Sequence, residues 1–169
     1  MNLKEIVPEI ARTVALLGPG PAAELRRGPT SGAGAAAYWR IVAEHSSIPD
    51  DNIMPRFVQA VAILTPRGNI GERGFFSAHN KSVPMGQALH SAEIPDLLLS
   101  RLLSAPKSQR PDFAVRISRR LAGTENARFN LITLANFLYS DGNKPSQIIA
   151  KEYYKAEYRK NQFSENETK

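Results

Sequence analysis

The sequence predicts an all-α protein built as two small helical bundles packed together, and three observations lead there. Apolar residues recur at three- and four-residue spacings, the helical period, along most of the chain. Clusters of Gly and Pro separate these stretches and act as stops. No hairpin signature joins a pair of alternating apolar and polar runs, so a sheet has no partner strands to build with.

Ile6, Ile10, Val14 and Leu17 share one face of a helix over 4–17, into which Pro8 falls. Gly18-Pro19-Gly20-Pro21 ends it, and Pro21 opens a short second turn over 22–27. After the break at Gly28-Pro29-Thr30-Ser31-Gly32, the alanine-rich stretch 33–43 carries an apolar body in Tyr38, Trp39, Ile41 and Val42. Pro49-Asp50-Asp51-Asn52 is a turn and cap; acids placed there complement the dipole of the buried helix expected over 56–64. The stretch 65–84 has no periodicity, is punctuated by Gly and Pro, and is longer than an ordinary connection, which predicts a mobile segment in the free protein.

Helical patterning resumes at 85–91 and 94–105, where Pro95 and Asp96 take first-turn positions and Leu98, Leu99, Leu102 and Leu103 form the buried stripe. Residues 106–110 read as a boundary between subdomains 1–105 and 106–160. A helix over 111–122 opens with Pro111-Asp112 and stops at Gly123. Residues 125–139 are apolar almost all round, which suits a helix in the middle of a bundle. Pro145 starts a long amphipathic helix to 160, and the polar stretch 161–169 reads as a disordered tail.

The absence of cysteine removes disulfides, zinc–thiolate sites and thiol nucleophiles, and suits a cytoplasmic location. No signal peptide or membrane-spanning run is expected. The net charge of +6 is unevenly spread: residues 1–104 hold 10 Lys and Arg against 9 Asp and Glu, whereas residues 105–169 hold 12 against 7. A basic surface of this kind favours a polyanionic partner, because each neutralised phosphate releases a condensed counterion.

The inventory for catalysis is poor. His45, His79 and His90 stand apart from one another and from acidic clusters, with no metal-ligand spacing. The glycine-rich stretch 67–74 lacks the Lys-Ser/Thr ending and the strand–helix setting of a nucleotide loop. A hydrolase or transferase using His79 would lack both an identifiable nucleophile and an acidic partner. No enzyme activity and no cofactor are therefore expected.

The basic residues are better organised. On the helix over 111–122, Phe113, Ile117 and Leu121 share one face, while Arg116, Arg119 and Arg120 gather on a neighbouring arc, with Arg110 just before the helix. A merely solvated face normally mixes signs, yet Asp112 is the only acid between residues 97 and 124. Arginine suits phosphate because its planar fork donates two parallel hydrogen bonds. Lys151, Lys155 and Arg159 repeat every four residues beside Tyr154 and Tyr158, but Glu152 and Glu157 dilute that stripe. Arg26-Arg27 forms a third basic pair. Residues 111–139 also allow a helix-turn-helix DNA-binding regulator, although the second helix is too apolar to lie in a groove.

Taken in order, several landmarks span residues 20–158. They are Ala23-Glu24-Leu25-Arg26-Arg27, Tyr38-Trp39-Arg40, the apolar run 57–64, Met85-Gly86-Gln87-Ala88-Leu89, Leu99-Ser100-Arg101-Leu102-Leu103-Ser104-Ala105, Arg119-Arg120-Leu121 and Phe137-Leu138-Tyr139. Their order and spacing resemble the CasB family, the small subunit of the type I-E CRISPR Cascade surveillance complex. Where this chain has Gln87, that family usually carries an arginine. The resemblance implies two helical bundles without an active site, present in two copies beside the other Cascade subunits. It further implies a role in stabilising the hybrid of guide RNA and target DNA and the displaced strand. Arg26, Arg27 and Arg119 match positions resembling the family's basic patch; helical geometry adds Arg110, Arg116 and Arg120.

Overall fold

A computed structural model describes residues 2–28, 35–66 and 76–167, with side chains to Phe163. All regular structure among the described residues is helical. In chain order the helices are α1 (Leu3–Ala15), α2 (Pro19–Arg27), α3 (Ala36–Glu44), α4 (Met54–Leu64), α5 (Met85–Ser91), α6 (Asp96–Leu103), α7 (Arg110–Leu121), α8 (Leu131–Tyr139) and α9 (Lys144–Glu167). Short 3-10 turns occupy Lys107–Gln109 and Glu125–Ala127. The all-α class expected from the sequence is the class observed.

Local chemistry explains several helix ends. Asn2 caps α1 through its side chain, which accepts from the Lys4 amide, and the helix continues through Pro8. At the start of α4 the Asp51 carboxylate accepts from the Ile53 and Met54 amides, both at 2.8 Å, as its place before the helix predicts. The same carboxylate accepts from the Tyr139 hydroxyl at 2.9 Å, so the end of α8 is tied to the start of α4. Burial, then the neighbouring Asp51 and Asp50 charges, push the Tyr38 phenol up to about 12. Tyr139 is pushed up by burial first and by its bond to Asp51 second.

One hydrophobic core runs through the molecule, drawing on Ile10, Phe57, Leu89, Leu102, Ile117, Phe137 and Ile149. It passes across the boundary expected between 1–105 and 106–160: α4 packs on α7, α1 on α8, and α5 on α9. Pro and charged residues gave 106–110 the look of a linker, but Ala105 and Arg110 at its ends are both buried. The segment is a turn within one core.

Two other expectations change. The helix expected over 125–139 begins only at Leu131, capped by the Asn130 side chain. Ahead of it the chain pairs with the stretch 78–83: the Phe129 amide donates to Ala78 O, the Asn80 amide to Phe129 O and the Asn130 amide to Val83 O. Phe129 is buried by this long-range pairing, not by a helical face. The pairing also fixes the second half of the segment expected to be mobile; its residues 67–75 lie outside the described residues. At the other end, α9 continues past Lys160 to Glu167 where a disordered tail was expected. No Gly or Pro stops it, and extending a formed helix is far easier than nucleating one. Gln162 adds a bond to the Tyr158 hydroxyl one turn back.

Helices α5 and α9 meet backbone to backbone. A Cβ on Gly86 would sit 2.2 Å from the Ile149 carbonyl oxygen and 2.6 Å from the Tyr153 amide nitrogen, so the two backbones approach only because residue 86 is glycine. The Gly86 amide also donates to Glu152 at 2.9 Å across this contact. The neighbouring atoms are backbone of a long helix and cannot step aside locally. Gly86→Ala is expected to lower unfolding stability by about 1–3 kcal/mol, the usual range for overpacking. Chemical denaturation of the variant measures this, and an unchanged midpoint would contradict the packing described.

Candidate nucleic-acid interface

Helix α7 is amphipathic in the strict sense that one face is buried and the other bears charge. Ala114, Val115, Ile117, Ser118 and Leu121 are buried, against α4 on the inner side, whereas Arg116, Arg119 and Arg120 are exposed. Three- and four-residue steps set the three guanidinium groups along one arc. Arg116 lies over the Phe113 ring, 5.4 Å from its centroid, which orients the side chain without neutralising it. Among the described residues none of the three is in an ion pair. The one acid on the helix, Asp112, is engaged 3.6 Å away by Arg56 of α4. Arg119 and Arg120 also fall in the last turn, where the helix dipole favours cations.

Arg110 does not belong to this surface. It is only 5% exposed, and its guanidinium donates to Ala105 O at 3.1 Å, Phe137 O at 2.9 Å and Ser140 O at 2.7 Å, lying 4.9 Å from the Phe137 ring centroid. A phosphate has no access to it, so Arg110 is not the backbone contact that its place beside the α7 arc predicts. Its neighbours are the end of α8 and the turn after α6, where helical carbonyls lack partners of their own.

Arg26 and Arg27 separate in the same way. The Arg26 side chain is half-buried and donates to Ala62 O and Thr65 O, serving the carbonyls at the end of α4. Its own carbonyl accepts from Gln59 Nε2 at 3.1 Å, and Gln59, almost fully buried on α4, accepts from Arg56 Nη1 at 2.9 Å. With the Arg56–Asp112 pair, a continuous polar chain runs from the end of α2 through α4 to the start of α7. Gly28 closes α2 at φ +80°, and a Cβ there would meet the Gln59 amide at 2.4 Å. Arg27 stays exposed at the tip of this clamp. The structure therefore groups Arg116, Arg119 and Arg120, leaves Arg27 exposed on a separate helix, and turns Arg26 and Arg110 to structural work.

Arg56 joins α4 to α7, a role that depends on a long-range neighbour and has no local sequence signal. On α9, Lys151, Tyr154, Lys155, Tyr158 and Arg159 are all exposed, which their spacing already indicated. The histidines serve packing: His45 bonds to Thr13, His90 stands edge-on to Tyr153, and His79 Nδ1 accepts from the Leu131 amide at the start of α8. No group of three or more His, Asp or Glu side chains among the described residues could hold a metal. No helix among them is long and apolar enough to cross a membrane.

Stability measurements separate these roles. Arg110→Ala removes the donor from three carbonyls, two of them in buried bonds, and is expected to cost about 2–4 kcal/mol. Arg119→Ala, at an exposed site, should stay within about 0.5 kcal/mol of the parent. Equal melting temperatures for the two variants would contradict the division.

His79 provides a pH signature. Burial first, then the Lys81 and Arg128 charges, hold its imidazole below the usual 6.5. The unfolded chain then binds the proton more readily, so this contribution is full above pH 6.5 and is lost as pH falls through the lower folded value. Thermal melts at pH 7 and pH 5 should show a smaller loss for His79→Gln than for the parent; an equal loss would contradict the half-buried, amide-accepting imidazole.

No family model, curated protein or solved structure matches the chain.

Proposed function

We propose that the protein is a non-catalytic, cytoplasmic nucleic-acid-binding subunit of a CRISPR Cascade ribonucleoprotein acting in antiviral defence. It grips phosphate backbone through the outer face of α7. The observation that carries the reading is the acid-free arc of three exposed arginines on a helix anchored at both its start and its inner face. Such an arc has planar donors for phosphate, and contacts to phosphate carry no sequence information, so backbone binding through it is indifferent to sequence. In the assembly, pairing between guide RNA and target DNA supplies specificity. This subunit contacts the backbone of the hybrid and the displaced strand, beside the other Cascade subunits and a second copy of itself. The resemblance in landmark order supports that placement, and the all-helical architecture and basic last third agree with it.

A helix-turn-helix regulator fits less well. Its recognition helix would be α8, on which Asn136 is the only exposed residue. A helix whose other residues are buried, or half-buried at Ile132, Thr133 and Tyr139, cannot present a row of side chains to a groove.

Two experiments test the proposal. Arg119→Ala should weaken binding to unrelated nucleic-acid sequences about equally, and Arg119→Lys should recover only part of the loss, since an ammonium keeps charge without the fork. Strong dependence on a palindromic sequence would instead favour the regulator. Expressed with its neighbouring genes, the chain should elute with a large RNA-containing particle. Elution as a free protein under those conditions would contradict the assembly assignment.

A further inference from the structure

A cleft of about 380 Å3 lies between the end of α5 and the outer half of α9, lined by Gln87, His90, Ser91, Ala156, Arg159 and Lys160. Five of these six residues carry polar or cationic side chains and none is acidic. The carboxylate of Glu152, one turn before Ala156 on α9, is engaged by the Gly86 amide. Glu93 and Glu157 stand close in sequence but outside the lining.

The walls are set by the fold. Gly86 brings α5 against the α9 backbone. The His90 ring stands edge-on to Tyr153 with centroids 5.2 Å apart, and the Tyr153 hydroxyl is anchored on the Ile94 carbonyl at 2.9 Å. A helix C-terminus ordinarily repels an anion through its unpaired carbonyls. Here those of Ala88, Leu89 and His90 are already taken by the amides of Ala92, Ile94 and Glu93. That closure holds Glu93 at φ +53°, a left-handed conformation a non-glycine residue adopts only under constraint from its surroundings.

We infer that this cleft binds a phosphate group, with Arg159 and Lys160 supplying positive charge and Gln87, His90 and Ser91 supplying hydrogen bonds. The volume exceeds that of a bare phosphate and reaches the lower end of small-ligand pockets, so the group arrives attached to a larger molecule. That molecule is either a free phosphorylated compound or a nucleic-acid strand. Helix α8 packs against both α7 and α9, and the cleft shares no residue with the α7 arc, so the inference does not rest on the function proposed for α7.

The test uses the full isotope-labelled chain and three probes: inorganic phosphate, adenosine monophosphate and a single-stranded oligonucleotide of mixed sequence lacking terminal phosphates. Saturable shifts at Gln87, His90 and Ser91 are expected with at least one probe. They should weaken about tenfold or more in Arg159→Ala/Lys160→Ala, the scale of a lost charged hydrogen bond, and persist in Arg119→Ala. Both replaced side chains are exposed and alanine favours helix, so an unchanged melting temperature confirms that the double variant is folded. Shifts with phosphate or the mononucleotide identify a free ligand; shifts with the oligonucleotide alone identify a backbone phosphate. No shift at the cleft with any probe, or undiminished affinity in the folded double variant, overturns the inference.

Discussion

The guanidinium of Arg110 enters the core with no carboxylate bonded to it, and the display of the other α7 arginines depends on how that charge is met. Two of its three acceptors, Phe137 O and Ser140 O, lie at the end of α8, where the helix dipole is negative. The third, Ala105 O, belongs to the turn after α6. Asp141 is nearby, but its carboxyl is held low chiefly by its 2.6 Å bond to Lys107, with Arg110 a lesser influence. The bonds fix the start of α7 on the end of α8, and with it the rotation of α7 about its axis. At 3.6 residues per turn Arg119 falls about 180° from Arg110, directly opposite it, and Arg116 and Arg120 fall about 120° and 80° away on one flank, clear of the buried stripe. One buried cation thus sets which cations face outward.

The polar chain through Gln59 does the same for α2. Arg26 binds the end of α4 with its side chain and receives Gln59 with its carbonyl, so α2 is held at both levels. Gly28 at φ +80° lets the chain leave α2 directly over the Gln59 amide. Arg56 extends the chain to Asp112, removing the only acid that would compete on α7. Arginines mounted on elements locked in this way lose less freedom on binding than arginines on a loop.

Helical period, Gly–Pro stops and first-turn acids suffice to place most helices from the residues alone, because those signals act over a few positions. The exposed arc of α7 and the capping role of Asp51 are legible for the same reason. Arg110 was legible too: it is four, seven and eleven residues before Ala114, Ile117 and Leu121, and so continues their buried stripe. Its charge argued for the surface, and only the carbonyls at the end of α8 and in the turn after α6 overrule that argument. Arg26 carries no such local sign, since its acceptors are 36 and 39 residues away. Residues 128–130 look helical because their apolar spacing continues that of α8, and only pairing with 78–83 draws them out. At the subdomain boundary read at 106–110 the core is continuous, because proline and charge describe a turn inside one core as well as a junction between two bundles.

The central claim is that α7 acts through charge presented by a fold that does not need those charges. Its most direct test is the salt dependence of backbone binding by Arg116→Ala/Arg119→Ala/Arg120→Ala, measured against the parent on one nucleic acid. If each arginine displaces a counterion, the slope of log affinity against log salt should fall by about two to three units, with the melting temperature unchanged. An unchanged slope, or weakened binding that comes with a lost fold, would contradict the account.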